Sequence, residues 1–265
     1  VISPAHPLLV VDRVRVDLGG RTVLEDIEFD LSAGEFLGVV GPNGGGKTTL
    51  LRTLLGIHRP TAGRVRWCST SRRRPGLTPA GARLGYVPQK CEPDRSCPLS
   101  AREVLSQGAS DAILPWGRHR RDTRRRADEL LHDFGLADSA DKRFVELSGG
   151  QQRRLLLARA VIGDPEVLLL DEPSAGLDVD SHDRWARFLP PLLERGVAVI
   201  LVSHDLEFVA SHAHRVAQVR RRLVWAKTDA DERSARPAGI RTSRNVLGPS
   251  ESPISRSPSR DANAA

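Results

Sequence analysis

The run Gly41-Pro42-Asn43-Gly44-Gly45-Gly46-Lys47-Thr48 constrains this chain more than any other stretch of it. It spells GxxxxGK[ST], follows the apolar segment Phe36-Leu37-Gly38-Val39-Val40, and precedes a segment of helical composition, Thr48 to Leu55, that stops at Gly56. Strand, glycine loop and helix in that order make a phosphate cradle. The glycines let the backbone curl so that successive N–H groups face one point, and the helix start adds its positive end. In such a cradle Lys47 reaches the β- and γ-phosphates of a nucleotide and the Thr48 hydroxyl ligates Mg²⁺, with Thr49 beside it. The competing reading, a glycine-rich turn with a stray lysine, leaves the flanking pattern unaccounted for.

A second signal is Glu166-Val167-Leu168-Leu169-Leu170-Asp171-Glu172-Pro173. A hydrophobic strand ending in two adjacent carboxylates delivers both to the C-terminal edge of a sheet, where nucleotides sit. Side chains alternate along a strand, so Asp171 and Glu172 point in different directions. One can hold Mg²⁺ while the other polarises an attacking water. An acidic turn before proline is the rival reading, and it weakens once the phosphate loop is considered.

Around these motifs the chain alternates strand and helix patterns. Leu9 to Phe29 reads as antiparallel strands about a Gly19-Gly20 turn, Arg64 to Trp67 as a short strand, and Ser69 to Gly81 as a loop. Leu84 to Val87 reads as a strand running into a loop, and residues 99 to 147 as a polar helical segment broken by Pro115, Gly117 and Gly135. Helices at 151–162, 181–195 and 206–213 then alternate with strands Val167 to Leu170, Val197 to Val202 and a last one near Val216 to Val224. The expected fold is α/β: a P-loop NTPase core with a mainly parallel sheet covered on both faces, an antiparallel β subdomain and a helical subdomain. One domain is expected over residues 8–226, with the helical subdomain at about 99–150, and a disordered, Ser/Pro/Arg-rich tail over 227–265.

Composition adds exclusions. A net charge of +7 would suggest a nucleic-acid or membrane surface, but four lysines leave 36 of the 40 basic residues as arginine, with no methionine and one tyrosine. That pattern reads as coding bias, and no nucleic acid is expected as partner. The Arg118 to Arg126 segment, with six arginines and one aspartate, reads as a solvated helical face, lipid-headgroup contact being the lesser alternative; Trp116 suits core or contact equally. Cys68, Cys91 and Cys97 lack the paired spacing of a zinc site and read as ordinary thiols. Val1 to Pro7 has no basic leader pattern and the longest apolar runs are far too short to span a bilayer, so an intracellular, soluble protein is expected.

Leu147-Ser148-Gly149-Gly150-Gln151, about 20 residues before the Asp-Glu pair, gives a second anion-ready helix start. With it the chain resembles the nucleotide-binding subunits of ABC transporters over residues 8 to 226. The resemblance implies an ATPase working as a homodimer, two copies head to tail, in which Ser148, Gly149, Gly150 and Gln151 cover the ATP held by the other copy's phosphate loop. It makes Gln89 the loop glutamine that contacts Mg²⁺ and relays nucleotide state, Ser174 to Asp178 the loop crossing the dimer interface, Glu172 the catalytic glutamate, and His204 the histidine at the γ-phosphate. Lys47, Glu172 and His204 are the catalytic set; Thr48, Gln89 and Asp171 the Mg²⁺ set. Leu18 departs from the family, which usually has an aromatic residue there to stack on adenine; leucine gives apolar contact without stacking, which weakens the preference for ATP over GTP and leaves the phosphate chemistry untouched.

Within the family, Leu84 to Lys90 with Asp94-Arg95-Ser96, Pro98-Leu99-Ser100 and Glu103-Val104-Leu105 resembles the zinc/manganese importer subgroup. That implies a polytopic membrane permease, an extracytoplasmic substrate-binding protein, and a place on the cytoplasmic face of the membrane. Another cargo, such as an iron chelate, or a soluble non-transport ABC ATPase, remains the alternative.

Overall fold

Strand β6 (Val167–Asp171) divides the molecule: Val167 and Leu169 sit in one hydrophobic core, Leu168 and Leu170 in another. Strand β7 (Ala198–Val202) repeats the alternation, with Ala198, Ile200 and Val202 on the first side and Val199 and Leu201 on the second. Both strands, and β3 (Phe36–Val40), are buried along their whole length. A central sheet apolar on both faces follows from that pattern. The computed structural model describes residues 7–68, 82–89, 98–109, 118–173 and 179–226, by backbone alone at 118–120 and 179–186.

The other strands are β1 (Leu9–Leu18), β2 (Arg21–Leu31), β4 (Ala62–Trp67), β5 (Leu84–Val87), β8 (Arg215–Arg220) and β9 (Arg222–Trp225). The described helices are α1 (Lys47–Leu54), α2 (Ala101–Ser106), α3 (Arg118–Asp133), α4 (Gly149–Val161), α5 (Val179–Glu194) and α6 (Leu206–His212). The large sheet runs β5-β6-β7-β3-β8-β9, parallel except for the β8/β9 hairpin at its edge. A smaller antiparallel sheet, β2-β1-β4, packs its apolar side and α1 over one face of the large one. The other face carries side chains of α2, α3, α4, α5 and α6. So both faces are covered, one of them mostly by a second sheet. Leu168 is fully buried between the layers, and Leu168→Ala would cost about 2–5 kcal/mol.

The hairpin between β1 and β2 turns at Gly19 and Gly20, whose φ of 56° and 76° are the left-handed values such a turn requires. The helical part is tied by side chains. Ser100 and Glu103 form a capping box at α2, and Arg102 reaches Asp128 of α3 at 2.8 Å and Asp141 at 2.5 Å. Arg126 pairs with both carboxylate oxygens of Asp164 in the turn before β6.

Two expectations are corrected. The single strand near 216–224 is a hairpin, β8 and β9, hinged on Arg221 with φ of 63°. The segment 99–147 is not helical throughout: after Gly135 it continues as 3-10 turns at Ala137–Ser139 and Phe144–Glu146. The loop 69–81, Lys90, Cys91 and Cys97, the stretch Asp94-Arg95-Ser96, Trp116, the loop Ser174 to Asp178 and the tail 227–265 lie outside the described residues.

Candidate functional site

The phosphate loop links β3 to α1. Gly46 is the N-cap of α1 with φ of 101°, a conformation a side chain would oppose. A Cβ on Gly41 would lie 2.3 Å from the Val219 carbonyl oxygen of β8, so the loop is pressed against the sheet edge. Gly45 O accepts a hydrogen bond from Arg221 N–H at 3.0 Å, and Arg221 O accepts from Glu25 N–H at 2.8 Å. The β8/β9 turn therefore braces the loop against β2.

Lys47 is only 6% exposed. Its Nζ donates to the carbonyls of Gly41 at 2.8 Å and Pro42 at 3.0 Å, which holds the ammonium inside the curve of the loop. Burial pushes its pKa down, while the charges of Glu172 and Asp171 pull it back up.

Asp171 ends β6 and is 1% exposed, with both carboxylate oxygens buried and without a hydrogen bond of good geometry. Burial raises its pKa, and Glu172 adds to the rise; the nearby Thr48 hydroxyl, Arg52 and Lys47 oppose it. Two buried, unpartnered carboxylate oxygens beside a hydroxyl form a hard-oxygen donor set of the kind a divalent cation takes. Thr49 continues α1, its carbonyl accepting the Thr53 hydroxyl at 2.7 Å.

Glu172 diverges from Asp171 by more than strand pleat. Its backbone has φ of 51°, although its N–H still donates to Val202 O at 2.8 Å. The turn sends its side chain between two others. Oε1 lies 2.8 Å from His204 Nε2, and Oε2 accepts from Gln89 Nε2 at 2.8 Å. His204 follows β7 through Ser203, whose N–H donates to Val39 O at 3.2 Å. The ends of β5, β6 and β7 thus converge on one carboxylate next to the phosphate loop on β3.

Ser148, Gly149, Gly150 and Gln151 are placed by the helical part instead. Ser148 is the N-cap of α4: its Oγ accepts from Gln151 N–H at 3.3 Å, and Gln151 Oε1 accepts from Ser148 N–H at 2.9 Å. Gln151 Nε2 donates to Ser139 Oγ at 3.3 Å. A Cβ on Gly149 or Gly150 would meet nothing within 4 Å, so packing within the chain does not demand glycine there. Leu18 ends β1, 36% exposed.

Sequence reading passed over two residues. Arg221 is one. The other is Arg153 of α4, which donates to the backbone carbonyls of Pro88, Gln89, Asp171, Glu172 and Pro173. A mid-run arginine carries no local mark of such a role.

Residues 24–175 match the family described as ABC transporter. The chain is 34% identical over 218 residues to the "Probable metal transport system ATP-binding protein" of Chlamydia muridarum, an alignment covering 81% of this chain and 89% of that one. It is 38% identical over 211 residues to a zinc import ATP-binding protein of Halorhodospira halophila, covering 79% and 73%. Among solved structures, "An inward-facing conformation of a putative metal-chelate type ABC transporter" superposes with a TM-score of 0.70 at 27% identity, covering 84% of each chain.

Proposed function

The chain belongs to the ABC transporter family as an ATP-binding, ATP-hydrolysing subunit, and on that premise we propose that it powers import of zinc or manganese through a separate polytopic permease. One observation carries the hydrolytic assignment of residues: Gln89 and His204 meet on the two oxygens of Glu172, beside the phosphate loop. The cargo rests on likeness to a zinc import ATP-binding protein and on the sequence pieces between Leu84 and Leu105 that resemble the zinc/manganese importer subgroup. Residues 8–226 form the ATP-binding domain in this reading, with about 99–150 as its helical subdomain. Among the described residues no helix is long and apolar enough to cross a membrane. On its likeness to a zinc import ATP-binding protein, the pore is assigned to a partner and this chain to the membrane's cytoplasmic face.

Glu172 is oriented for base work. With one oxygen at His204 and the other bonded by Gln89, its carboxylate can take a hydrogen bond from a water and draw off the proton as that water attacks the γ-phosphorus. Lys47 exchanges the Gly41 and Pro42 carbonyls for the β- and γ-phosphate oxygens, one set of acceptors for another, so little hydrogen-bond energy is lost. His204, 48% exposed at its side chain, can turn to the γ-phosphate as charge builds there. Asp171, Thr48 and Gln89 would hold Mg²⁺, and the unpartnered Asp171 oxygens fit it. When bound, that ion offsets the phosphate charge.

A second copy completes the site. Ser148, Gly149 and Gly150 start α4 with open space above the glycines, which suits a phosphate approached from another molecule. Two chains head to tail would each cover the ATP of the other. An extracytoplasmic binding protein would deliver cargo to the permease, and nucleic acid has no part in this scheme.

The test is capture of the tagged chain with its partner from detergent-solubilised membranes, followed by proteoliposome uptake assays. ATP-dependent uptake of zinc or manganese, lost in Glu172→Gln, is the expected result. Uptake of a metal chelate alone would favour a second reading, which the 27% identical metal-chelate type transporter supports. Recovery of ribosomal or DNA-repair proteins with no membrane partner would defeat both.

A further inference from the structure

Arg153 is 8% exposed although it stands near the start of α4, two residues past Gln151. Nε donates to Pro173 O at 2.9 Å. One terminal nitrogen donates to Pro88 O at 2.7 Å and Gln89 O at 2.9 Å. The other donates to Asp171 O at 3.2 Å and to Glu172 O. A guanidinium has five N–H groups fixed in one plane, so these bonds engage its whole donor set.

The five carbonyls belong to two segments, the ends of β5 and β6. Those strands pair in parallel as far as Val87 opposite Leu170. Beyond that pair Pro88 has no N–H with which to continue the ladder. Arg153 takes over there as a clip across both segments. At the clipped point Gln89 Nε2 meets Glu172 Oε2 at 2.8 Å. Glu172 also sits at φ of 51°, a left-handed conformation that a non-glycine residue keeps only where its surroundings hold it. Its N–H is held by Val202 O and its carbonyl by Arg153.

We infer that Arg153 is a positioning residue for ATP hydrolysis: it fixes the ends of β5 and β6 relative to each other so that the Glu172 carboxylate is presented to the attacking water. It acts on the reaction only through Glu172, and the inference rests on the reading of Glu172 as the water-activating residue. Because Ser148 caps α4, the clip also ties the helix behind Ser148 to the carboxylate of its own chain. Lysine cannot replace it, since one ammonium on a flexible stem cannot span five carbonyls in a plane.

The test compares full-length wild type with R153K, R153Q, E172Q and R153K/E172Q. Fluorescent-ATP titration counts binding sites and gives affinity; steady-state hydrolysis, normalised to those sites, gives kcat and KM. For R153K and R153Q the expected result is kcat per site lower by about 10- to 100-fold, with KM and ATP affinity within about threefold of wild type. A purely packing role would lower the thermal midpoint and the number of sites while leaving kcat per site intact, and that outcome would overturn the inference. If R153Q does not fold, R153K alone decides by the same criterion. R153K/E172Q should hydrolyse no more slowly than E172Q; a further loss would show that Arg153 acts elsewhere. Hydrolysis at the wild-type rate in E172Q would remove the Glu172 reading and this inference with it. Loss in E172Q but not in R153K would remove this inference alone.

Discussion

Glu172 Oε1 lies 2.8 Å from His204 Nε2, and the two residues stand at the ends of neighbouring strands, β6 and β7. Strand pairing reaches Asp171 opposite Val202, so the contact forms just past the last rung, where side chains are no longer committed to the sheet faces. With Gln89 on the second oxygen, the carboxylate has a fixed plane before any water arrives. Pre-set orientation of this kind lowers a barrier without reorganisation during the reaction.

Glu172→Gln keeps the shape and a carbonyl oxygen for Gln89 but removes the carboxylate proposed to activate the water. Hydrolysis should fall about 10²- to 10⁴-fold with ATP binding retained. His204→Ala leaves the Glu172 carboxylate in place and loosens its orientation, and hydrolysis should fall by about 10- to 100-fold. Single-turnover hydrolysis with pre-bound ATP measures both. A Glu172→Gln protein that turns over normally would move the base elsewhere.

Arg221→Pro should loosen the phosphate loop. Proline holds φ near −65° and has no N–H, whereas Arg221 has φ of 63° and donates to Gly45 O. A loss of about 2–3 kcal/mol and weaker ATP binding are expected. Arg221→Gly keeps the donor and relieves the backbone, losing only the exposed contact to Glu25 at 3.2 Å, and should stay within about 1 kcal/mol of wild type. Denaturant titration and ATP titration of the two variants separate donor from charge.

The Arg126–Asp164 pair gives a pH signature. Its hydrogen bonds hold the Asp164 carboxyl below its ordinary 3.8, against a smaller upward push from burial. A depressed folded-state pKa stabilises fully above the unfolded value and is lost as pH falls through the folded one. With side chains 35% and 56% exposed, the pair is worth only about 0.5 kcal/mol after solvent screening. Asp164→Asn should lower stability by that amount at pH 7, and the gap to wild type should close below pH 3.8. A gap that persisted at low pH would assign the loss to turn geometry instead.

Gly41 to Thr48 and Val167 to Glu172 were legible because a loop and a strand end are written in consecutive residues and need no distant partner to be recognised. The buried strands β3, β6 and β7 were legible for the same reason, as unbroken apolar runs. Arg153 was not. Gln151-Gln152-Arg153-Arg154 reads as a polar helix start, and its burial is set by carbonyls 20 and 65 residues away. The hairpin at Arg221 lacked the glycine, asparagine or aspartate that marks such a turn, since Arg220-Arg221-Arg222 carries no conformational signal. The meeting of Gln89 with Glu172, 83 residues apart, follows from β5 pairing with β6 and could be placed only once the strand order was known.

Ser148 separates a helix cap from a phosphate contact. Its Oγ accepts from Gln151 N–H, so Ser148→Ala should cost about 1 kcal/mol and any lost hydrolysis could be blamed on a frayed α4. Ser148→Asp removes that ambiguity. Aspartate caps as well as serine, and its charge at a helix start adds about 0.3–1 kcal/mol of stability, so the thermal midpoint should hold or rise. Yet the same charge would face the phosphates of the ATP in a second copy. ATP-dependent dimerisation, followed by size-exclusion chromatography in a Glu172→Gln background, should therefore fail in Ser148→Asp while the monomer stays folded. Dimerisation at wild-type ATP concentrations would mean that Ser148 only caps its helix, and the head-to-tail arrangement would lose its anchor at α4.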